Sequence, residues 1–183
     1  LEGPLYVGNG SIISPFSYVK NSVIGPMCKI GGELNSVVIE GYTNKVHYGF
    51  LGNSYIGEWV NFGAGTTNSN LKNNYGKVRV QMNDEVFETN RIHLGCFIGD
   101  YVKTSIGTKI NTGSVYGPGS MIFSKDFPSK NIPILTWYTD SGMSRVGIDK
   151  FILNCHRMKK RRGVDFDIVE EQFYRNLFLK VEK

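Results

Sequence analysis

Histidine and cysteine are scarce in this chain, with three of each among 183 residues. Cys28, Cys96 and Cys155 lie far apart with no Cys-x-x-Cys pair, which argues against a zinc knuckle or a thioredoxin-like motif and fits a reducing compartment. His47, His93 and His156 form no His-x4-His pair, whereas a carbonic-anhydrase-type zinc site needs about three converging histidines, so no metal is expected. No apolar run approaches the roughly 18 residues of a membrane-spanning helix, and no signal peptide opens the chain. A cytoplasmic protein with no membrane partner is the expectation. Excess charge is also small, at +5, and much of it sits in the run Lys159, Lys160, Arg161, Arg162. That run reads as the solvated end of a helix, where cations suit the helix dipole, rather than as a nucleic-acid or membrane-surface patch.

What the sequence does have is a beat. Val7, Ile13 and Val19 follow at intervals of six, then Ile24 and Ile30. Leu51, Ile56 and Phe62 keep it, and it returns at Ile98, Thr104, Ile110, Tyr116 and Ile122, many of these followed by glycine or another small residue. A period of six is neither helical nor simple strand alternation. It describes a coil with three flat sides, in which each unit points one aliphatic residue inward and then turns. A β-sandwich would bring its strands round every 8–12 residues or so. Glycine after the inward residue suits a crowded corner that needs positive φ.

The expected organisation is a β-helix over 1–125, interrupted at about 68–94 by a polar loop or hairpin. An extended connector, rich in proline and glycine, follows over 126–147, and a helical tail over 148–183. In the tail Phe151, Ile152, Cys155 and Met158 have helical spacing, and Gly163 ends that helix. Asp167 with Glu170 makes a capping box for a second helix, whose apolar side would be Ile168, Phe173, Leu177 and Val181. The chain opens on Leu1 with the repeat already under way by Val7. It therefore reads as the C-terminal part of a longer protein.

Within the coil, "NKVHYGFLGNSYIG" and "VNFGAGTTNSN" resemble the acetyltransferase domain of the bifunctional enzyme that makes UDP-N-acetylglucosamine, and more closely its sugar nucleotidyltransferase relatives. The resemblance spans about residues 5–125, most strongly 30–70. It implies a left-handed parallel β-helix that forms homotrimers, with sites between subunits and a nucleotidyltransferase domain upstream. It implies acetyl transfer from acetyl-CoA to an amino-sugar phosphate such as glucosamine-1-phosphate. That chemistry needs a base for the attacking amine, which a neutral imidazole supplies near pH 7, and a donor for the thioester oxyanion. The resemblance makes His47 the base and Glu33 its orienting carboxylate. Asn61 and Asn70 become sugar contacts, and Lys20 the nearest candidate for a phosphate-binding arginine. Gly63 and Ala64, in "GAG", become the cofactor corner, with the Ala64 N–H facing the thioester oxygen. Two positions depart from the family: its phosphate-binding lysine falls on Asn35, and a tyrosine falls on Phe50. Those losses raise the alternative of a non-catalytic trimerisation scaffold. The 68–94 insertion is expected beside the His47 cleft, offering Lys72, Lys77 and Arg79 to a phosphate.

Overall fold

A computed structural model of the chain describes residues 1–82 and 84–180. Its body is a parallel β-helix with three columns of inward residues. The first face stacks Ile24, Ile39, Ile56, Ile98, Tyr116 and Ile132. The second stacks Ile13, Ile30 and Lys45, then Phe62, Thr104 and Ile122. The third stacks Val19, Leu34 and Leu51, then Asn68 and Ile110. Most of these side chains merge into one continuous core running the length of the coil.

The rungs between Ile30 and Leu51 had no visible beat. Leu34 follows Ile30 after only four residues, and the inward residue of the next second-face rung is Lys45. Glycine after an inward residue answers to close approach more than to positive φ. A Cβ on Gly25 would lie 1.2 Å from the Glu40 carbonyl oxygen of the next rung. Left-handed backbone appears instead later in the corner, at Tyr42, Trp59 and Tyr101, with φ of 50°, 59° and 63°. Bulky residues are rare there. At this corner their rings form a ladder, Tyr42 on Trp59 at 4.2 Å and Trp59 on Tyr101 at 6.4 Å between centroids.

That ladder is where the tail docks. Helix α1 (Ile148–Lys160) and helix α2 (Ile168–Lys180) bury Phe151, Cys155 and Tyr174, with Phe166 from the link between them, against Trp59 and Tyr101. The Asp167 carboxylate accepts from the Glu170 N–H at 2.8 Å, as a cap should. The Glu170 carboxylate bonds Tyr101 Oη and Lys159 Nζ, tying helix to coil. The apolar side of α2 is Tyr174 with Leu177 and Phe178, while Ile168 and Phe173 are exposed. Val181 lies outside the described residues.

The 126–147 stretch does more than connect. Asn131–Ile132 pairs with the rung at Val115–Tyr116, and Thr136–Thr139 pairs with Met121–Phe123 before turning back as Gly142–Arg145. The coil thus continues past residue 125. Its side chains give the reason: Ile132 and Leu135 are fully buried despite the neighbouring prolines.

The 68–94 insertion contains an antiparallel hairpin, Arg79–Met82 against Glu85–Glu88. It leaves where Asn68 replaces an aliphatic inward residue. The Asn68 amide accepts from Gly52 N–H and donates to Gly52 O and Ser54 Oγ, closing the coil end before the chain departs. The Ser54 hydroxyl also lies 3.4 Å from Cys96 Sγ, on the rung where the coil resumes.

Candidate functional site

The third face and the corner leading into it carry most of the residues singled out by sequence. His47 is exposed at that corner. Directly above it in the stack lies the Gly63–Gly65 corner: Gly65 N–H donates to Tyr48 O at 3.2 Å. Gly65 holds φ of 74°, and a Cβ there would meet the Tyr48 ring. The Ala64 carbonyl accepts from Gly107 N–H of the following rung at 2.8 Å. The Ala64 N–H makes no hydrogen bond among the described residues. The His47 loop and the "GAG" loop are therefore consecutive layers of one edge.

What fixes His47 is a residue the beat concealed. Lys45 is 3% exposed, at an inward position filled on other rungs by Ile13, Ile30, Phe62, Thr104 and Ile122. Its ammonium donates to His47 O at 2.6 Å, Gly31 O at 3.1 Å and Tyr48 O at 3.4 Å. Burial pushes Lys45 down to about 8, while three carbonyl oxygens work in the opposite direction. A buried cation at this point pins the backbone of the histidine loop. Lys45 sits six residues before Leu51, but a polar residue does not mark a hydrophobic beat.

The other expected site residues divide. On the third face Glu33 pairs in register with Phe50, and Lys20 with Asn35, so these four outward residues lie on adjacent rungs. Glu33 and His47 are not hydrogen-bonded to each other among the described residues. The Lys20 ammonium is 2.5 Å from the Glu2 carboxylate, which raises the lysine and lowers the acid. Asn70 lies across the third face from His47, at the far corner, donating to Asn53 Oδ1 at 2.7 Å. Asn61 is on the second face, where it accepts from Asn44 Nδ2 at 2.9 Å and bridges to Lys103. A single chain thus gathers His47, Gly63, Ala64, Glu33 and Phe50 along one edge and face, with the Asn70 amide reaching the Phe50 ring over Gly52 and Asn61 turned to the second face.

The hairpin arm also leaves at the corner of Asn70, across the face from His47, not beside it. Its cations are occupied locally: Lys72 Nζ donates to Lys77 O, Lys77 Nζ to Asn90 Oδ1, and Arg79 lies 3.7 Å from Glu88. Among the described residues no cluster of three or more His, Cys, Asp or Glu is arranged to hold a metal ion. No helix among them is long and apolar enough to cross a membrane.

No family model matches the chain. Named relatives do. The bifunctional sugar-1-phosphate nucleotidylyltransferase/acetyltransferase of Sulfurisphaera tokodaii is 38% identical over 118 residues, covering 63% of this chain and 28% of that protein. The bifunctional protein GlmU of Azoarcus sp. is 25% identical over 148 residues, covering 70% and 30%. The chain therefore spans under a third of the length of these relatives. In fold it is similar to AntD, an N-acyltransferase from Bacillus cereus solved in complex with dTDP and 3-hydroxybutyryl-CoA. That likeness has a TM-score of 0.56 at 14% identity, covering 86% of this chain and 91% of AntD. A mutant of AntD bound to dTDP-4-amino-4,6-dideoxyglucose and coenzyme A gives 0.52 at 15% identity, covering 82% and 90%.

Proposed function

Because the chain is a relative of the bifunctional sugar-1-phosphate nucleotidylyltransferase/acetyltransferase proteins, we propose that it is a coenzyme A-dependent acyltransferase module acting on an amino-sugar phosphate. Acetyl-CoA is the donor, glucosamine-1-phosphate the representative acceptor. The observation that carries this reading is the stacking of the His47 loop beneath the "GAG" loop, with Lys45 pinning the first and the Ala64 N–H free at the second. An exposed imidazole there acts as general base toward an amine nitrogen. The amine attacks the thioester carbonyl, its proton passes to His47 Nδ1 or Nε2, and the oxyanion meets the Ala64 N–H. Collapse expels the CoA thiolate, which takes up a proton.

A homotrimer with sites shared between neighbouring copies belongs to this reading, in which Asn61, turned to the second face, serves a neighbour's site. An outward ladder on the first face, Tyr6, Val23, Val38, Tyr55, Phe97 and Val115, offers an uncharged surface for that contact. The competing reading, a trimerisation scaffold for a nucleotidyltransferase domain, draws support from Asn35 and Phe50 and from the pairing of Lys20 with Glu2.

Thiol release from acetyl-CoA in the presence of glucosamine-1-phosphate separates the two. The acyltransferase reading expects release in wild type and a loss of about 10²–10⁴ in rate for His47→Ala, with an unchanged melting temperature because the ring is exposed. No release by wild type with any amino-sugar phosphate supports the scaffold. If acceptor use survives, Asn35 and Phe50 predict a raised KM for glucosamine-1-phosphate.

A further inference from the structure

Inside the coil, Lys45 is an unfavourable residue on packing grounds alone. It lies buried between Ile30 and Phe62 in the second-face column and makes no ion pair among the described residues. Lys159, also buried, is by contrast paired with Glu170. Asn68, another polar inward residue, closes its corner with a neutral amide. Backbone groups at a corner can therefore be satisfied without a charge, and an unpaired buried charge is strongly disfavoured. What a lysine offers and an asparagine does not is a proton that can leave.

The ammonium has three hydrogens and meets three carbonyl oxygens, of His47 at 2.6 Å, Gly31 at 3.1 Å and Tyr48 at 3.4 Å. Gly31 belongs to the rung below. Tyr48 O also accepts from Gly65 N–H, in the "GAG" loop above, at 3.2 Å. One nitrogen thus ties three consecutive layers of this edge. The neutral amine has two hydrogens and a lone pair, so one of the three oxygens loses its donor and faces that lone pair. Tyr48 O, the most distant, is the one released, and it carries the link to the "GAG" loop. The titratable groups around the nitrogen are His47 and Tyr48 on its own loop, and Cys28, Lys29 and Glu33 on the rung below. The rung above, over 61–65, carries none, and Leu34, Leu51, Ile39 and Ile56 face it from the other two sides. Lys29 and Glu33 are exposed, and burial alone, with no charged neighbour, lowers Lys45.

We infer that Lys45 is a proton-operated clamp, which as an ammonium holds the His47 loop in register with the "GAG" loop and on deprotonation lets that register go. The fold as a whole gains from the same step, because the burial penalty leaves with the proton; only the loop loosens. The consequence for activity rests on the acyltransferase reading, with Lys45 as a positioning residue. Rate should then fall on the alkaline side as Lys45 deprotonates, whereas the acid side belongs to the imidazole, active when neutral. The alkaline midpoint lies between about 8, set by burial, and the 10.5 of a free lysine.

The chain contains a single His–Tyr peptide, His47–Tyr48. Protein carrying ¹³C at histidine carbonyls and ¹⁵N in tyrosine therefore gives one carbonyl–nitrogen correlation, which carbon detection follows to high pH without the amide proton. The expected result is one inflection between about pH 8 and 10.5, at the midpoint of the Lys45 side chain's own ¹³Cε signal. Lys45→Gln should lack that inflection, and Lys45→Met serves if the glutamine variant does not fold. Thiol release from acetyl-CoA with glucosamine-1-phosphate should be about tenfold or more slower in Lys45→Gln at pH 7. The ratio of wild type to variant should approach one above pH 10, whereas a purely structural role would leave it constant. A wild-type peptide signal without inflection overturns the inference, as does the same inflection in the variant or a ratio that does not change with pH. A wild type that releases no thiol sinks the acyltransferase reading alone, and the peptide signal then decides the clamp by itself.

Discussion

The first and second faces of the coil each point a largely apolar column inward, broken on the second by Lys45 and Thr104, and present opposite chemistry outward. Behind the first, Ile24, Ile39, Ile56 and Ile98 are fully buried, and outside it Tyr6, Val23, Val38, Tyr55 and Phe97 form an uncharged ladder. Behind the second, Ile30, Phe62 and Ile122 do the same work, and outside it run Lys29, Asn44, Asn61 and Lys103 beneath α1. In a strand, neighbouring residues point to opposite sides. One set of positions therefore specifies the coil, and the adjacent set is free to specify what it meets. Apolar rungs suit a second copy of the chain, and cationic rungs suit an anion.

The comparison makes ordered predictions. The inward layers should respond alike: Ile39→Ala behind the first face and Ile30→Ala behind the second should each destabilise by about 2–5 kcal/mol in chemical denaturation. Clearly unequal losses would mean that one face is not part of the common core.

The next effect belongs to the second face alone. Lys45 is held down to about 8 by burial, against 10.5 for a free lysine. Below pH 8 folded and unfolded chains both hold the proton, and the burial penalty is felt in full. Between about 8 and 10.5 the unfolded chain keeps a proton that the folded chain has released, so stability rises with pH across that window. The gain is at most about 3 kcal/mol over the whole window. Lys45→Met should lack this rise when melting is followed from pH 7 to 10. The variant should also lower thiol release, because the His47 loop loses its anchor.

Smaller effects come from the tail. Asp167→Ala removes the α2 cap and should destabilise by roughly 0.5–2 kcal/mol. Phe173→Ala, at a side chain 59% exposed, should stay within about 0.5 kcal/mol. A larger loss at Phe173 would mean that the outer side of α2 is covered in the assembled protein.

The coil was legible because burial imposes one aliphatic residue per rung, and a period survives substitution. It failed at Lys45 and Asn68, although the inward Thr104 kept its place in the beat. Lys45 and Asn68 each satisfy nearby backbone groups from inside the coil, which hydrophobic periodicity cannot register. The continuation past residue 125 was hidden by prolines at rung corners, where no ladder hydrogen bond is lost. The 68–94 interruption was readable as a loop or hairpin, and the structure makes it a hairpin. The corner it leaves from was not, because that depends on which face Asn68 closes. Among the candidate site residues, the His47 corner and the "GAG" corner stack on consecutive rungs. Adjacency along the chain could not reveal that Asn61 turns to the second face and Asn70 to the far corner, since six residues carry the chain round a full side.

The division of labour between the two faces is tested most directly by molar mass in solution, for wild type and Val38→Lys. Val38 is 41% exposed in the middle of the uncharged ladder, and an outward lysine is already tolerated at Lys29 and Lys103 on the other face. Light scattering at micromolar concentration should give wild type a mass three times the 20.5 kDa of the chain, and Val38→Lys a folded monomer. A wild type that runs as a stable monomer, or a Val38→Lys variant that still assembles as wild type does, would contradict the account.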